Sequence, residues 1–196
     1  MDEFPFPDRA NAGNELTRDV LYRRISPPEH TRLCEDAWNI GAAAAQDLLA
    51  AYPGFSIYEM AEKEGLKIIR EQTDKVSAGF RFFSEYFPKK NCIHMYLLSI
   101  ALFAQKNHLT NGEAEELILA HEYFHFLEVN RIGTVSGRYT IPRFSLGPIR
   151  IGKSGIPALS EIGAHGFART YWQTRYGLHP NIGEKPQPEQ EVAPIS

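Results

Sequence analysis

The stretch LILAHEYFHFLE, residues 117–128, decides how this chain is to be read. Its leucine, isoleucine and phenylalanine mark a helix buried in a core. His121 and His125 are four apart, so they share one helical face, one turn apart. With Glu122 they spell H-E-x-x-H, a spacing that lets two imidazoles reach one ion while the adjacent carboxylate holds and deprotonates a water. A metal ion lowers the pKa of such a water from about 15.7 to about 7, which makes hydroxide available at neutral pH. Burying two histidines and a glutamate among leucines has a desolvation cost that coordination offsets. A metal site is therefore expected on this helix.

Working outward, Thr110-Asn111-Gly112-Glu113 forms a capping box that opens the helix, which is expected to run to about Asn130. Glu113, Glu115 and Glu116 fall near the positive end of its dipole. A second box, Ser56 with Glu59, opens a short helix that stops at Gly65. Upstream, Leu33, Ala37, Ile40, Ala44 and Leu48 recur at helical spacing, which predicts one long helix from Thr31 after the breaker Ser26-Pro27-Pro28. Strand-like stretches cover 66–71, 78–83 and 92–98, the last two as an antiparallel hairpin turning near Pro88. A short helix, SIALFAQKN, follows them. Residues 131–156 read as a loop, and a final helix runs from near Pro157 to about Tyr176. Together these predict an α+β domain over 31–178, with a small, mostly antiparallel three-stranded sheet packed on helices, two of which carry the metal ligands. Residues 1–30 suit an arm of low order or one laid over the domain surface, and 179–196 suit a flexible tail.

The 196 residues suit a single domain, and 43% hydrophobic composition suffices for a core. A net charge of -3 gives no general attraction to nucleic acid or to an anionic membrane. Two lone cysteines, Cys34 and Cys92, point to a reducing compartment. Neither a signal peptide nor a membrane-spanning run is legible, so a cytoplasmic location is expected.

A catalytic ion needs a third protein ligand and an open position. Glu161 and His165, again four apart, both qualify, and His94 is a weaker candidate. Chemistry alone does not separate the first two. Tyr139, His165, Arg169 and Tyr171 are candidates for stabilising a tetrahedral intermediate. The section 131–156 holds Arg131, Arg138, Arg143, Arg150 and Lys153 and no acid. It reads either as a basic lid for acidic substrate segments or as a solvated hairpin. If 92–98 is an edge strand, an extended peptide can pair with it. If the N-terminal arm covers that edge instead, Phe4-Pro5-Phe6-Pro7 becomes a self-inhibitory segment.

LILAHEYFHFLE followed by EIGAHGFA resembles the ImmA/IrrE family of zinc metallopeptidases. The matching positions are Ala120, His121, Glu122 and His125, then Glu161, Ala164, Phe167 and Ala168. The resemblance implies a zincin-like fold, Zn²⁺ as cofactor, Glu161 as third ligand and Glu122 as general base. It also implies cleavage of a protein or peptide, in several members a helix-turn-helix repressor or anti-repressor. No such module is fused here, so a repressor target is a separate protein. His165 departs from the family's usual Asn or Asp, and it suits orienting His121 or His125, polarising a carbonyl, or binding metal itself. Phe124 replaces a common small residue, and Arg169-Thr170-Tyr171-Trp172 replaces an apolar helix end. The alternative is a zinc-stabilised regulatory protein that captures a partner without cleaving it, with His165 closing the fourth position.

Overall fold

Three helices hold the centre of the computed structural model, which describes residues 4–146 and 149–177. The first of them does not wait for Thr31. Ser26 is its N-cap, and α2 (Pro27–Ala51) begins with prolines at its first two positions. A missing N–H costs nothing there, so the expected breaker is a helix start. One face of α2 buries Leu33, Ala37, Trp38, Gly41, Ala44, Ala45 and Leu48. It packs along α7 (Pro157–Tyr176), which also packs on α5 (Asn111–Leu127). The α2–α7 crossing is close because its residues are small. A Cβ added at Gly41 would lie 1.9 Å from the Gly163 carbonyl oxygen, and one at Gly166 would lie 2.6 Å from that of Trp38. On the other side of α7, a Cβ at Gly163 would meet the Phe124 ring of α5 at 2.7 Å. Thus α7 is clamped between α2 and α5, and its rotation is fixed.

The capping boxes form as read. Thr110 and Glu113 open α5, and Ser56 and Glu59 open α3 (Ile57–Lys63). The sheet differs from the expected one. After β1 (Lys67–Glu71), the stretch read as a single strand over 78–83 divides. Phe80–Phe82 (β3) pairs with Lys75–Ser77 (β2) in a separate ribbon, not with 92–98. Ala78 and Gly79 both take positive φ, 51° and 82°, which suits a tight two-residue hairpin turn. The antiparallel partner of β5 (Cys92–Tyr96) is instead β4 (Ser84–Phe87), with Ser84 opposite Met95. β1 pairs with β5 in parallel, so the order is β1-β5-β4 and the sheet is half parallel rather than mostly antiparallel. β5 is central, not an edge. Its Cys92, Ile93, Met95 and Tyr96 are all buried, as suits a strand covered on both faces. The next helix, α4, takes Leu97–Lys106. The fold is α+β, with small sheets beside a helical core.

The expected low order of residues 1–30 gives way, over 4–26, to structure laid on the domain. α1 (Gly13–Arg18) packs against α7, and Ala12, Leu16 and Ile25 are buried. Asp19 Oδ2 accepts the Ala158 N–H at 3.0 Å, satisfying a free donor at the start of α7. The stretch 131–156 is no loop either. A π-helical turn (Glu128–Ile132) extends α5, and α6 (Val135–Arg138) leads to an antiparallel hairpin, β6 (Thr140–Leu146) with β7 (Ile149–Gly155). Arg131 pairs with Glu64, Arg138 donates to the Ile132 carbonyl at 2.8 Å, and Lys153 is exposed. The side chains of Arg143 and Arg150, and the tail 179–196, lie outside the described residues. No helix among the described residues is long and apolar enough to cross a membrane.

Candidate metal centre

His121 and His125 project from α5 because Tyr123, Phe124 and Phe126 anchor its buried faces. The clamped α7 brings Glu161 opposite them. Glu161 Oε2 lies 3.3 Å from His121 Nε2, and Glu161 Oε1 lies 3.6 Å from His125 Nε2. One potential ligand atom from each of the three residues falls within 4.8 Å of the others. Two ligand atoms bound tetrahedrally at about 2.0–2.1 Å from one zinc are about 3.4 Å apart, so two imidazoles and a carboxylate at these separations fit such an ion. His121 Nδ1 is buried without a hydrogen-bond partner.

A residue that sequence reasoning missed holds His125 in place. Glu128 is buried (4% exposed), and its Oε2 accepts from His125 Nδ1 at 2.9 Å. Its Oε1 accepts from the Val135 N–H and the Ser160 Oγ, both at 2.7 Å. One carboxylate thus joins α5, α6 and the first turn of α7, and directs His125 Nε2 toward the site. The only signal in the sequence is an acid three residues after His125. Ser84 was missed too. Its Oγ donates to Glu122 Oε1 at 2.9 Å, fixing that carboxylate from the β4 side. Glu122 and Ser84 line a cleft of about 250 Å³ with His121, Ile118, Phe6, Phe82, Phe83 and Arg81.

Electrostatics separates the groups. Burial works to lower the His125 pKa, but the Glu128 hydrogen bond and the charges of Glu161 and Glu122 raise it to about 9. Burial works to raise the Glu161 pKa, but the His121 hydrogen bond and the nearby histidines bring it down to about 2. His165 is pushed down to about 3, by burial first and then by His121, so it stays neutral.

His165 joins the cluster beside the donor set. Its ring centroid is 5.2 Å from that of His121, and its Nδ1 is buried without a partner. The other candidates are engaged elsewhere. Tyr171 OH donates to Glu116 at 2.6 Å, and Tyr139 OH donates to Asp36 at 2.8 Å. Arg169 lies over the Phe4 ring at 4.9 Å, and His94 Nδ1 pairs with Glu71 on the sheet. Comparison with known protein families, curated proteins and solved structures finds no match to this chain.

Proposed function

We propose that this chain is a zinc-dependent endopeptidase with a zincin-like fold, of the kind its resemblance to the ImmA/IrrE family implies. The observation that carries the reading is the meeting of His121, His125 and Glu161 beside an open cleft that Glu122 also lines. These three residues would hold Zn²⁺. A bound ion supplies Lewis-acid chemistry: it acidifies water and polarises a carbonyl. Glu122 takes the proton of the attacking water and hands it to the departing amine, with Ser84 keeping its carboxylate aimed at the cleft. Glu128 keeps His125 Nε2 directed at Glu161, where it would serve as a ligand. Phe82, Phe83 and Ile118 offer an apolar wall that excludes water and grips a substrate side chain. Among the described residues β4 pairs on one side only, so its other edge offers backbone groups to an extended peptide. A regulatory protein, such as a helix-turn-helix repressor, is the substrate class that the resemblance supports.

The reading as a binding protein that captures a partner without cutting it finds less support. Such a protein has no use for a base held against the cleft, and His165 lies outside the donor set. The test is direct. Purified protein is expected to carry one zinc per chain by mass spectrometry. Glu122→Gln is expected to keep that zinc and to lose hydrolysis of a quenched-fluorescence peptide library by at least about a thousandfold. Cleavage that survives the substitution would refute the mechanism.

A further inference from the structure

The segment Phe4-Pro5-Phe6-Pro7 reaches the metal site from outside it. Phe4 is buried (7% exposed) against Leu117 of α5 and Trp172 of α7, with the Arg169 guanidinium over its ring. Two residues on, the Phe6 ring lies 5.5 Å from the His121 ring, 5.4 Å from the His165 ring and 5.9 Å from that of Phe103. It is also a wall of the cleft that holds Glu122. An aromatic side chain of this segment therefore stacks on His165 and packs at a tilt against His121, in the wall of the cleft where substrate would lie.

The chemistry of the segment suits an occupant that is not consumed. Pro5 and Pro7 fix φ near −65°, so the stretch is pre-extended and loses little entropy on docking. Neither proline has an N–H, which removes hydrogen bonds that a cleavable peptide would offer to a strand edge. The chain behind it is pinned by the Arg9–Glu35 ion pair and by fully buried Leu16. A segment tethered this way competes at an effective concentration of about a millimolar, so a free peptide must displace it.

We propose that Phe4–Pro7 is a resident occupant of the peptide-binding site, with Phe6 standing where a large apolar side chain of the substrate binds. The site then selects an aromatic or long aliphatic residue, and the segment must move out for substrate to enter. This rests on the reading of the cleft as a peptide site, but its test needs no hydrolysis.

The probe is a capped Phe-Pro-Phe-Pro peptide, titrated into full-length, zinc-loaded Glu122→Gln protein and followed by calorimetry or NMR. With Phe4→Ala and Phe6→Ala added, the peptide is expected to bind at least about tenfold more tightly than to the protein with its own segment. A capped Ala-Pro-Ala-Pro peptide is expected not to bind. Phe6→Leu keeps the apolar bulk and is expected to exclude the probe as the native segment does. Phe6→Ala alone keeps the experiment decisive if the double variant does not fold. Equal affinity with and without the two phenylalanines would overturn the proposal and make Phe6 a fixed wall. Equal binding of the alanine peptide would overturn the aromatic selectivity. A protein that binds the probe as expected, yet cleaves nothing when Glu122 is restored, refutes the peptidase reading and leaves this one standing.

Discussion

Glu128 is the residue on which the site's alignment turns. It accepts three hydrogen bonds while nearly inaccessible to water, from His125 Nδ1, the Val135 N–H and Ser160 Oγ. A partner of this kind sets which imidazole nitrogen is free and raises its basicity, and losing it typically costs about 10–100-fold in metal affinity. Glu128→Gln keeps one acceptor oxygen and nearly the same shape, so the protein is expected to fold. Its zinc affinity, measured by chelator competition, is expected to fall by about that factor. An unchanged affinity would show that α5 packing alone orients His125. At this scale the ligand pair and Glu122 were legible because i,i+4 spacing is a local property of one helix. Glu161 was expected as the third ligand only through a resemblance, since His165 had the same claim on chemistry. Ser84 reaches Glu122 across elements far apart in sequence, and no local pattern announces such a contact, whereas Phe6 stood out only by the composition of Phe4-Pro5-Phe6-Pro7. Tyr139 and Tyr171 show the converse, for each is near the right segment yet gives its hydroxyl to a distant acid.

At the scale of elements, α2, α3, α4, α5 and α7 were legible, whereas the short helices α1 and α6 and the strand partners were not. Capping boxes at Ser56 and Thr110 state where a helix begins, in residues three apart. Strand pairing is settled by turns and long-range packing, and Ala78-Gly79 reads as nothing special until both residues are seen at positive φ. The α2–α7 crossing is also invisible in periodicity, although it places Glu161. Its tightest point is Gly41, where an added methyl would fall 1.9 Å from a backbone oxygen of Gly163. No rotamer change relieves a clash with backbone, so the helices must separate. Gly41→Ala is expected to destabilise the protein by about 1–3 kcal/mol or more, read as a melting temperature several degrees lower. Because α7 carries Glu161, zinc affinity is expected to fall with it. Gly112→Ala, in the exposed first turn of α5 with nothing within 4 Å of the new Cβ, is the control and is expected to be neutral or slightly stabilising. Equal melting temperatures for the two variants would mean that the crossing yields without cost.

At the scale of the whole molecule, the proposed donor cluster would couple proton binding, metal binding and folding. Before a metal binds, His125 has a pKa of about 9, whereas His165 and Glu161 are held near 3 and 2. At neutral pH His125 is therefore an imidazolium set among Glu128, Glu161 and Glu122, a cation in a pocket built for one. In the unfolded chain the same ring titrates near 6.5. A folded-state pKa above the unfolded value means that this proton's stabilising contribution is complete below about pH 6.5 and is lost as pH rises through about 9. Protein stripped of metal by a chelator is thus expected to melt at progressively lower temperature between those two pH values. Zinc must displace the same proton, so loading near pH 7 is expected to release about one proton per ion. Apparent zinc affinity should then rise by up to about tenfold per pH unit until pH 9 is passed. Calorimetry in two buffers of different ionisation enthalpy counts the protons, and thermal melts with and without zinc follow the stability. In the zinc-loaded protein the His125 Nε2 proton is already displaced and the Nδ1 proton stays on Glu128, so its melting temperature is expected to stay level across the window in which the stripped protein declines. A stripped protein equally stable at pH 6.5 and pH 9 would mean that the carboxylates around His125 do not hold its proton, and that Glu128 orients the ring without charging it.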